Sequence, residues 1–449
     1  MRFGLVIQQN FLKNVNSMNS ISLYIKESVK YILRSYPIIF PYIRKVNKLY
    51  RMTNDELHNY QEKQFLMLFE YAYDNSPFYK QFYKEAGISK NDIKCLEDIK
   101  KLPILTKDIL KKHSDDILTA AKWKLLRGTT SGTTGTPLTF YWDRKCVLMS
   151  QAYLFVSRLR NGFKLGQPIV SLRGKLDRNQ LSLKLDISNT LYLSSYCINE
   201  KSIEIYYNKI INHHPVAIEG YPSSLYSLAL FMEKAGLKLK IPVAFTSSET
   251  LFHYQRNLIE KQLGTEIYDY YGMGERTISL YESNDHCGYY EWPGYSINEY
   301  YEDGEICTSL INKGFPLIRY RSNDIIELAE SNNENPRIIA KRILGRVDDF
   351  LICKDGSRVT RVDFVEDGEH IKACQWIQKE KGKLLILIVP DDGFTDKDKE
   401  FVVDETIKRV GENNMDIDVK LAKLEELRLT KRGKFRLIVN EIPKENNHA

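Results

Sequence analysis

From Thr53 to Ala86, apolar residues recur at three- and four-residue spacing, at Leu57, Tyr60, Leu66, Phe69 and Tyr73, and this predicts helix. The pattern breaks at Leu102–Thr106, around Pro103, and Lys107–His113 reads as a further short helix. Strand-like runs follow at Lys124–Leu126, Leu138–Tyr141, Pro168–Leu172 and Ala217–Ile218. Helical stretches such as Ser223–Ala235 and Leu251–Leu263 alternate with them. That alternation predicts an α/β architecture built on a largely parallel sheet.

From about Glu299 the texture changes to short strands and turns, at Gly304–Thr308, Leu317–Tyr320 and Ile325–Leu328, with a polar loop at Ser331–Pro336. Beyond Gly345 a smaller unit is expected, with strands at Leu384–Val389 and Val419–Leu421 and a helix over Asp396–Val410. The predicted organisation is a large N-terminal domain over 1–344, opened by a helical extension over 1–52, and a small C-terminal α+β domain over 345–449.

A length of 449 residues fits about two to three domains. Hydrophobic residues at 43% and charged residues at 27% are those of a globular chain with a sizeable core. The net charge of +7, from 65 basic and 58 acidic side chains, suits anionic small molecules. No basic run is long enough to track a phosphate backbone, so no nucleic-acid partner is expected. Seven scattered cysteines without a CxxC pair predict a reducing, cytoplasmic setting. His286-Cys287 is the one tight pair of potential metal ligands and has no obvious second pair.

Phe3–Ile7 is too short for a signal-peptide core. The apolar run Tyr36–Ile43 falls well short of the about twenty residues that a membrane-spanning helix needs. Ile21–Lys48 mixes Lys and Arg with Ile, Leu, Tyr and Phe. It reads as an amphipathic helix packed on its own domain, with peripheral contact to a membrane surface as the alternative.

The stretch most suggestive of chemistry is Arg127–Pro137, in which hydroxyls and glycines alternate between two strand-like runs. Its glycines permit close backbone approach. The amides and hydroxyls of Thr129, Thr130, Ser131, Thr133 and Thr134, with Gly132 and Gly135 between and after them, can converge on phosphate oxygens. A Walker loop is excluded, because Gly-Lys-Ser/Thr is missing. By composition alone a polar hairpin turn remains an equal reading.

Thr-Ser-Gly-Thr-Thr-Gly-Thr-Pro resembles the phosphate loop of the adenylate-forming superfamily, which includes acyl-CoA synthetases, peptide-synthetase adenylation domains and luciferases. The wider chain resembles its phenylacetate–CoA ligase branch and, within that, the CapK-like proteins associated with capsular polysaccharide. Ser76–Tyr79, Leu102–Lys107 and Gly220–Leu225 resemble motifs of that branch, and the resemblance runs in order from about residue 55 to the C-terminus. The fold implied is a large multi-layer α/β domain followed by a small mobile α+β domain.

The resemblance carries roles to particular residues. Tyr270–Glu275 is similar to a Tyr-Gly-x-x-Glu motif, in which Tyr271 would stack on adenine beside Gly272 and Glu275 would bind Mg²⁺. Ser247-Ser248-Glu249 sits where the family lines the adenine pocket. Asp324 would bind the ribose hydroxyls, since a carboxylate can accept two hydrogen bonds from a diol. Gly345–Asp349 resembles the hinge motif, with Arg346 on ribose or phosphate and Asp348 as pivot; Lys354–Val359 follows as a turn. Gly433-Lys434 resembles the catalytic lysine motif, with Lys431 as the competing residue. One departure stands out: many relatives carry Thr or Ser where this chain has Gly274.

The resemblance thus implies an enzyme that uses ATP and Mg²⁺ to turn a carboxylic acid into an acyl-adenylate. Coenzyme A is the default acceptor and an amine the alternative, in surface-polysaccharide assembly. Gly274 motivates a further alternative, a non-catalytic nucleotide-binding partner. The acid pocket is expected around Tyr141, Tyr221, Ser247 and Met273–Ile278.

Overall fold

The computed structural model describes residues 18–35, 37–129, 138–172, 176, 180–301, 304–322, 324–329, 339–346, 350–359, 370–430 and 434–442, with backbone only for 18–20, 344–346 and 358. Two helices, α1 (Met18–Arg34) and α2 (Phe40–Tyr50), precede α3 (Asn54–Asn75) and α4 (Pro77–Glu85). The single helical stretch expected over Thr53–Ala86 is therefore two helices. Ser76 turns extended between them, its Oγ accepts from the Tyr79 N–H at 3.4 Å, and Pro77 opens the second helix. The short helix α5 spans Lys107–Lys112.

A hairpin of β1 (Leu126–Thr129) and β2 (Thr139–Trp142) comes next, then α6 (Arg144–Arg160). Lys122–Lys124 winds as a 3₁₀ turn, so the first strand starts later than its sequence pattern implies. The following elements alternate: β3 (Ile169–Leu172), β4 (Ser182–Leu185), β5 (Thr190–Leu193), α7 (Ile203–His213), β6 (Ala217–Gly220), α8 (Pro222–Lys234), β7 (Val243–Ser247), α9 (His253–Leu263) and β8 (Glu266–Gly272). Then come β9 (Ser279–Glu282), β10 (Tyr289–Glu291), β11 (Ser296–Tyr301), β12 (Gly304–Ser309), β13 (Tyr320–Arg321), β14 (Asp324–Leu328) and β15 (Ala340–Arg346).

Ten of these strands form one sheet in the order β14-β15-β10-β9-β8-β7-β6-β3-β5-β4. Its centre, β5-β3-β6-β7-β8, is parallel, as strand–helix alternation predicts. β7 (Val-Ala-Phe-Thr-Ser) is buried along its whole length, which a parallel strand covered on both faces requires. Val170, Ile218, Leu225, Leu228, Ile259 and Ile267 join sheet and helices in one core. A second core, with Phe65, Phe69, Tyr79 and Tyr83, fixes α3 and α4 against the segment around Phe315–Tyr320.

The C-terminal part holds a small hairpin, β16 (Leu351–Ile352) with β17 (Arg358–Val359), and a separate sheet. That sheet, in the order β20-β19-β18-β21, comprises β18 (Ile371–Glu380), β19 (Lys383–Pro390), β20 (Asp416–Leu421) and β21 (Ile438–Asn440). Helix α10 (Asp396–Val410) packs Val402 and Val410 against Trp376, Ile386 and Ile388. The molecule is thus α/β, with a large multi-layer N-terminal domain and a small C-terminal α+β domain. Among the described residues no helix is long and apolar enough to cross a membrane.

Candidate nucleotide and acyl site

The parallel strands end along one edge, where chains lift away from the sheet and leave room for a ligand. Gly220 opposes Thr246, and Ser247 opposes Tyr270, so Tyr221 and Ser248 emerge just beyond the ends of their strands, next to Tyr271 near the end of β8. Ser248 takes a left-handed backbone, φ 74°, a conformation a non-glycine residue holds only when its surroundings impose it.

The small domain meets this edge through the segment at Lys434. Lys434 Nζ donates to the Ser248 carbonyl at 3.4 Å and lies 5.3 Å from the centre of the Tyr221 ring. The Lys434 N–H donates to Thr430 Oγ1 at 3.1 Å, and the Thr430 N–H donates back to the Lys434 carbonyl at 2.8 Å, closing the loop that presents the lysine. Residues 431–433, with Lys431 and Gly433, lie outside the described residues.

Glu249 joins the two domains. One carboxylate oxygen accepts from the Phe435 N–H at 2.8 Å, and the other accepts from the Ser223 N–H at the start of α8 at 3.1 Å. Burial pushes its carboxyl up from 4.5 to about 7, against the opposing effect of these hydrogen bonds and of Lys434. Sequence reasoning assigned Glu249 to the adenine pocket; in the structure its carboxylate holds backbone amides of both domains.

A second group lies at the end of β8. The Tyr271 hydroxyl is 2.8 Å from Asp324 Oδ2 and 3.1 Å from Glu305 Oε1. Glu305 also accepts from Ser322, whose Oγ takes the Asp324 N–H at 3.1 Å. Burial, then the charge of Asp324, pushes the Glu305 carboxyl up to about 7. The single Tyr271 hydroxyl is thus within donating reach of both carboxyl groups. Tyr271 also packs against the Ile278, Leu280 and Cys307 core, so this ring is anchored by its hydroxyl and partly buried.

Arg346 is the cross-strand partner of Asp324 in the β14–β15 ladder; its side chain lies outside the described residues. Thr250 Oγ1 donates to the Ile343 carbonyl at 3.4 Å, tying the segment after Glu249 to the same ladder. The motif before Asp324 is pinned from the N-terminal side. Leu105 and Arg319–Arg321 exchange backbone hydrogen bonds of 2.9 and 3.0 Å, and Arg319 donates to both oxygens of Glu299 at 2.9 and 2.8 Å. The Leu102–Lys107 motif and the segment Pro316–Ser322 that leads towards Asp324, far apart in sequence, are thus one structural unit.

The hairpin that carries the expected phosphate loop closes with Thr129 opposite Thr139; Thr130, Ser131, Gly132, Thr133, Thr134 and Gly135 lie outside the described residues. Its second strand docks on the turn after Gly272. The Trp142 indole N–H donates to the Gly274 carbonyl at 3.1 Å, and the Arg276 guanidinium lies 4.5 Å from the Trp142 ring centre. A Cβ added at Gly274 would come within 3.3 Å of Phe140 Cζ, so the ring of Phe140 occupies the space beside that glycine.

Glu275 is buried in this turn, just before Arg276 at φ 61°. Among the described residues no group of three or more His, Cys, Asp or Glu is placed to hold a metal ion. A single buried carboxylate fits Mg²⁺ only where phosphate oxygens and water complete the coordination, which is how this ion commonly binds with nucleotides. His286 faces Glu282 at 3.4 Å and Glu266 at 3.5 Å, and Cys287 Sγ bonds the Asp285 carbonyl, so this pair sits in an ion-pair and turn network.

Sequence reasoning missed Glu305, Phe140 and Trp142. Glu305 had one visible signal, a carboxylate inside the otherwise uncharged strand Gly304–Ser309, all of which is buried. Phe140 and Trp142 read as ordinary strand residues.

Residues 351–441 match the CapK C-terminal domain family. The chain is 27% identical over 372 residues to Protein CapK of Staphylococcus aureus, covering 78% of this chain and 81% of that protein. It is also 27% identical over 324 residues to phenylacetate–coenzyme A ligase of Pseudomonas putida, covering 67% and 73%. Among solved structures, 2-hydroxyisobutyryl-CoA ligase in the postadenylation state superposes with a TM-score of 0.64 at 17% identity, covering 87% of this chain and 90% of that one. In sequence this chain is similar to CapK and to the phenylacetate–coenzyme A ligases, and in fold to 2-hydroxyisobutyryl-CoA ligase.

Proposed function

We propose that the protein activates a carboxylic acid with ATP and passes the acyl group to the thiol of coenzyme A. The observation that carries this reading is Lys434, brought from the small domain to the strand edge beside Ser248 and Tyr221. An ammonium at that edge stabilises negative charge developing as the carboxylate oxygen attacks the α-phosphorus and pyrophosphate departs. Asp324, held by Tyr271, receives the ribose hydroxyls, with Arg346 on the neighbouring strand. Thr129–Gly135 takes the phosphates. Bound at Glu275 and the phosphate oxygens, Mg²⁺ would supply charge neutralisation.

In the second step the thiol attacks the acyl carbon and AMP leaves. Lys434 is not needed for that step. Residues 345–449 are proposed to move as the second domain, pivoting at Asp348, which releases Glu249 from Phe435 and clears the edge. Similarity to CapK and the phenylacetate–coenzyme A ligases supports the reading, as does the ordered run of motifs. A cytoplasmic role in surface-polysaccharide assembly belongs to the same proposal.

A carboxylic-acid library tested for ATP-dependent pyrophosphate release, with product mass measured after adding coenzyme A, tests both steps. Acid-dependent release and a thioester product are expected. An amide formed with an added amine would move the acceptor to an amine, and no release with any acid would overturn the activity.

A further inference from the structure

Helix α1 lies on the large domain with its faces inverted. Leu23 and Tyr24 pack on the β4–β5 region around Leu183, Leu185 and Tyr192, and the same inward side buries the carboxylate-bearing Glu27, ion-paired to Lys30. The Ser28 hydroxyl is buried there without a hydrogen-bond partner. Ile25, Val29, Ile32 and Leu33, by contrast, point outward at 53, 48, 50 and 51% exposure. At one helical turn apart they make a continuous aliphatic stripe. Phe40, at the start of α2, adds 40% exposure. An amphipathic helix held only by its own domain would turn this stripe inward.

The charge carried by α1 and α2 is predominantly positive. Lys26, Arg44, Lys48 and Arg51 are exposed, and between residues 21 and 51 the sole acidic residue is the buried, paired Glu27. On α2, Arg44, Asn47, Lys48 and Arg51 line an open groove of about 510 Å³ with Met52 and Glu56. We propose that α1 and the exposed side of α2 form a docking surface for an anionic lipid membrane. Aliphatic side chains would enter the interface while Lys and Arg meet lipid phosphates. This surface is distinct from the strand edge that holds Lys434, so its success or failure is independent of the proposed reaction.

The test is flotation of the full-length chain with phosphatidylcholine vesicles, with or without phosphatidylglycerol. Co-flotation with the anionic vesicles alone, weakened by salt, is expected. Ile25→Glu with Val29→Glu should weaken it roughly tenfold or more, and Lys26→Glu with Lys48→Glu by a similar factor. Ile25→Ser with Val29→Ser, checked for unchanged melting, guards against a folding defect. Three results would overturn the proposal. One is no flotation with anionic vesicles, including the case where removing residues 1–17 unmasks it and so assigns the face to that segment. Another is flotation indifferent to these substitutions. The third is a lipid-independent dimer that Val29→Glu dissolves, which would give the face to a second copy.

Discussion

The carboxylate of Glu249 accepts the backbone N–H of Phe435 at 2.8 Å, across 186 residues of sequence. The neighbouring Lys434 is therefore placed by a contact to main chain. The domain that carries the lysine is tied to the same Glu249 whose other oxygen holds the start of α8. Docking of the small domain and positioning of its ammonium are one structural event.

Replacing Lys434 by Ala should lower acid-dependent pyrophosphate release by ~10²–10³-fold, the usual loss when one pre-placed electrostatic group is removed. Thioester formation from a supplied acyl-adenylate and coenzyme A should persist. Loss of both steps together would assign the lysine a structural part instead.

Glu249 gives a pH signature. Its carboxyl is pushed up from 4.5 to about 7 by burial, so the folded protein favours the neutral form. That contribution to stability is fully present below about 4.5 and is lost as pH rises through about 7. Glu249→Gln cannot ionise, so its melting temperature relative to the parent should rise between pH 5 and 7. Parallel melting curves for the two proteins over this range would contradict the assignment.

Tyr271→Phe removes the hydroxyl shared by Asp324 and Glu305. Leaving the buried Glu305 and the half-buried Asp324 without it should cost about 1–3 kcal/mol of stability, read as a shift in denaturant midpoint. If Asp324 binds ribose, KM for ATP should rise more than kcat falls. Asp324→Asn should show the same split.

Gly274 and Phe140 form a coupled pair. A threonine at 274 must displace the Phe140 ring from a 3.3 Å contact, and overpacking of this kind costs about 1–3 kcal/mol. Gly274→Thr should lower the melting temperature, and Phe140→Leu in the same chain should recover part of the loss. Additive effects in the double-mutant cycle would show that the two positions do not share the space.

The amino-acid sequence by itself determined the alternation of strand and helix, the parallel centre of the large sheet, the smaller C-terminal unit and the residue types at the strand edge. These are properties of near neighbours along the chain, where apolar period, proline and glycine act directly. Ser76-Pro77 shows the limit of that reading, since one turn of extended backbone splits an otherwise continuous helical pattern. Only the tertiary structure decided that Glu249 holds Phe435, that Glu305 lies under Tyr271, that Phe140 fills the space beside Gly274, and that α1 turns its aliphatic face outward. Each depends on packing between segments tens to hundreds of residues apart. A carboxylate's role there follows from which amides and hydroxyls enclose it, and residue order alone does not specify that enclosure.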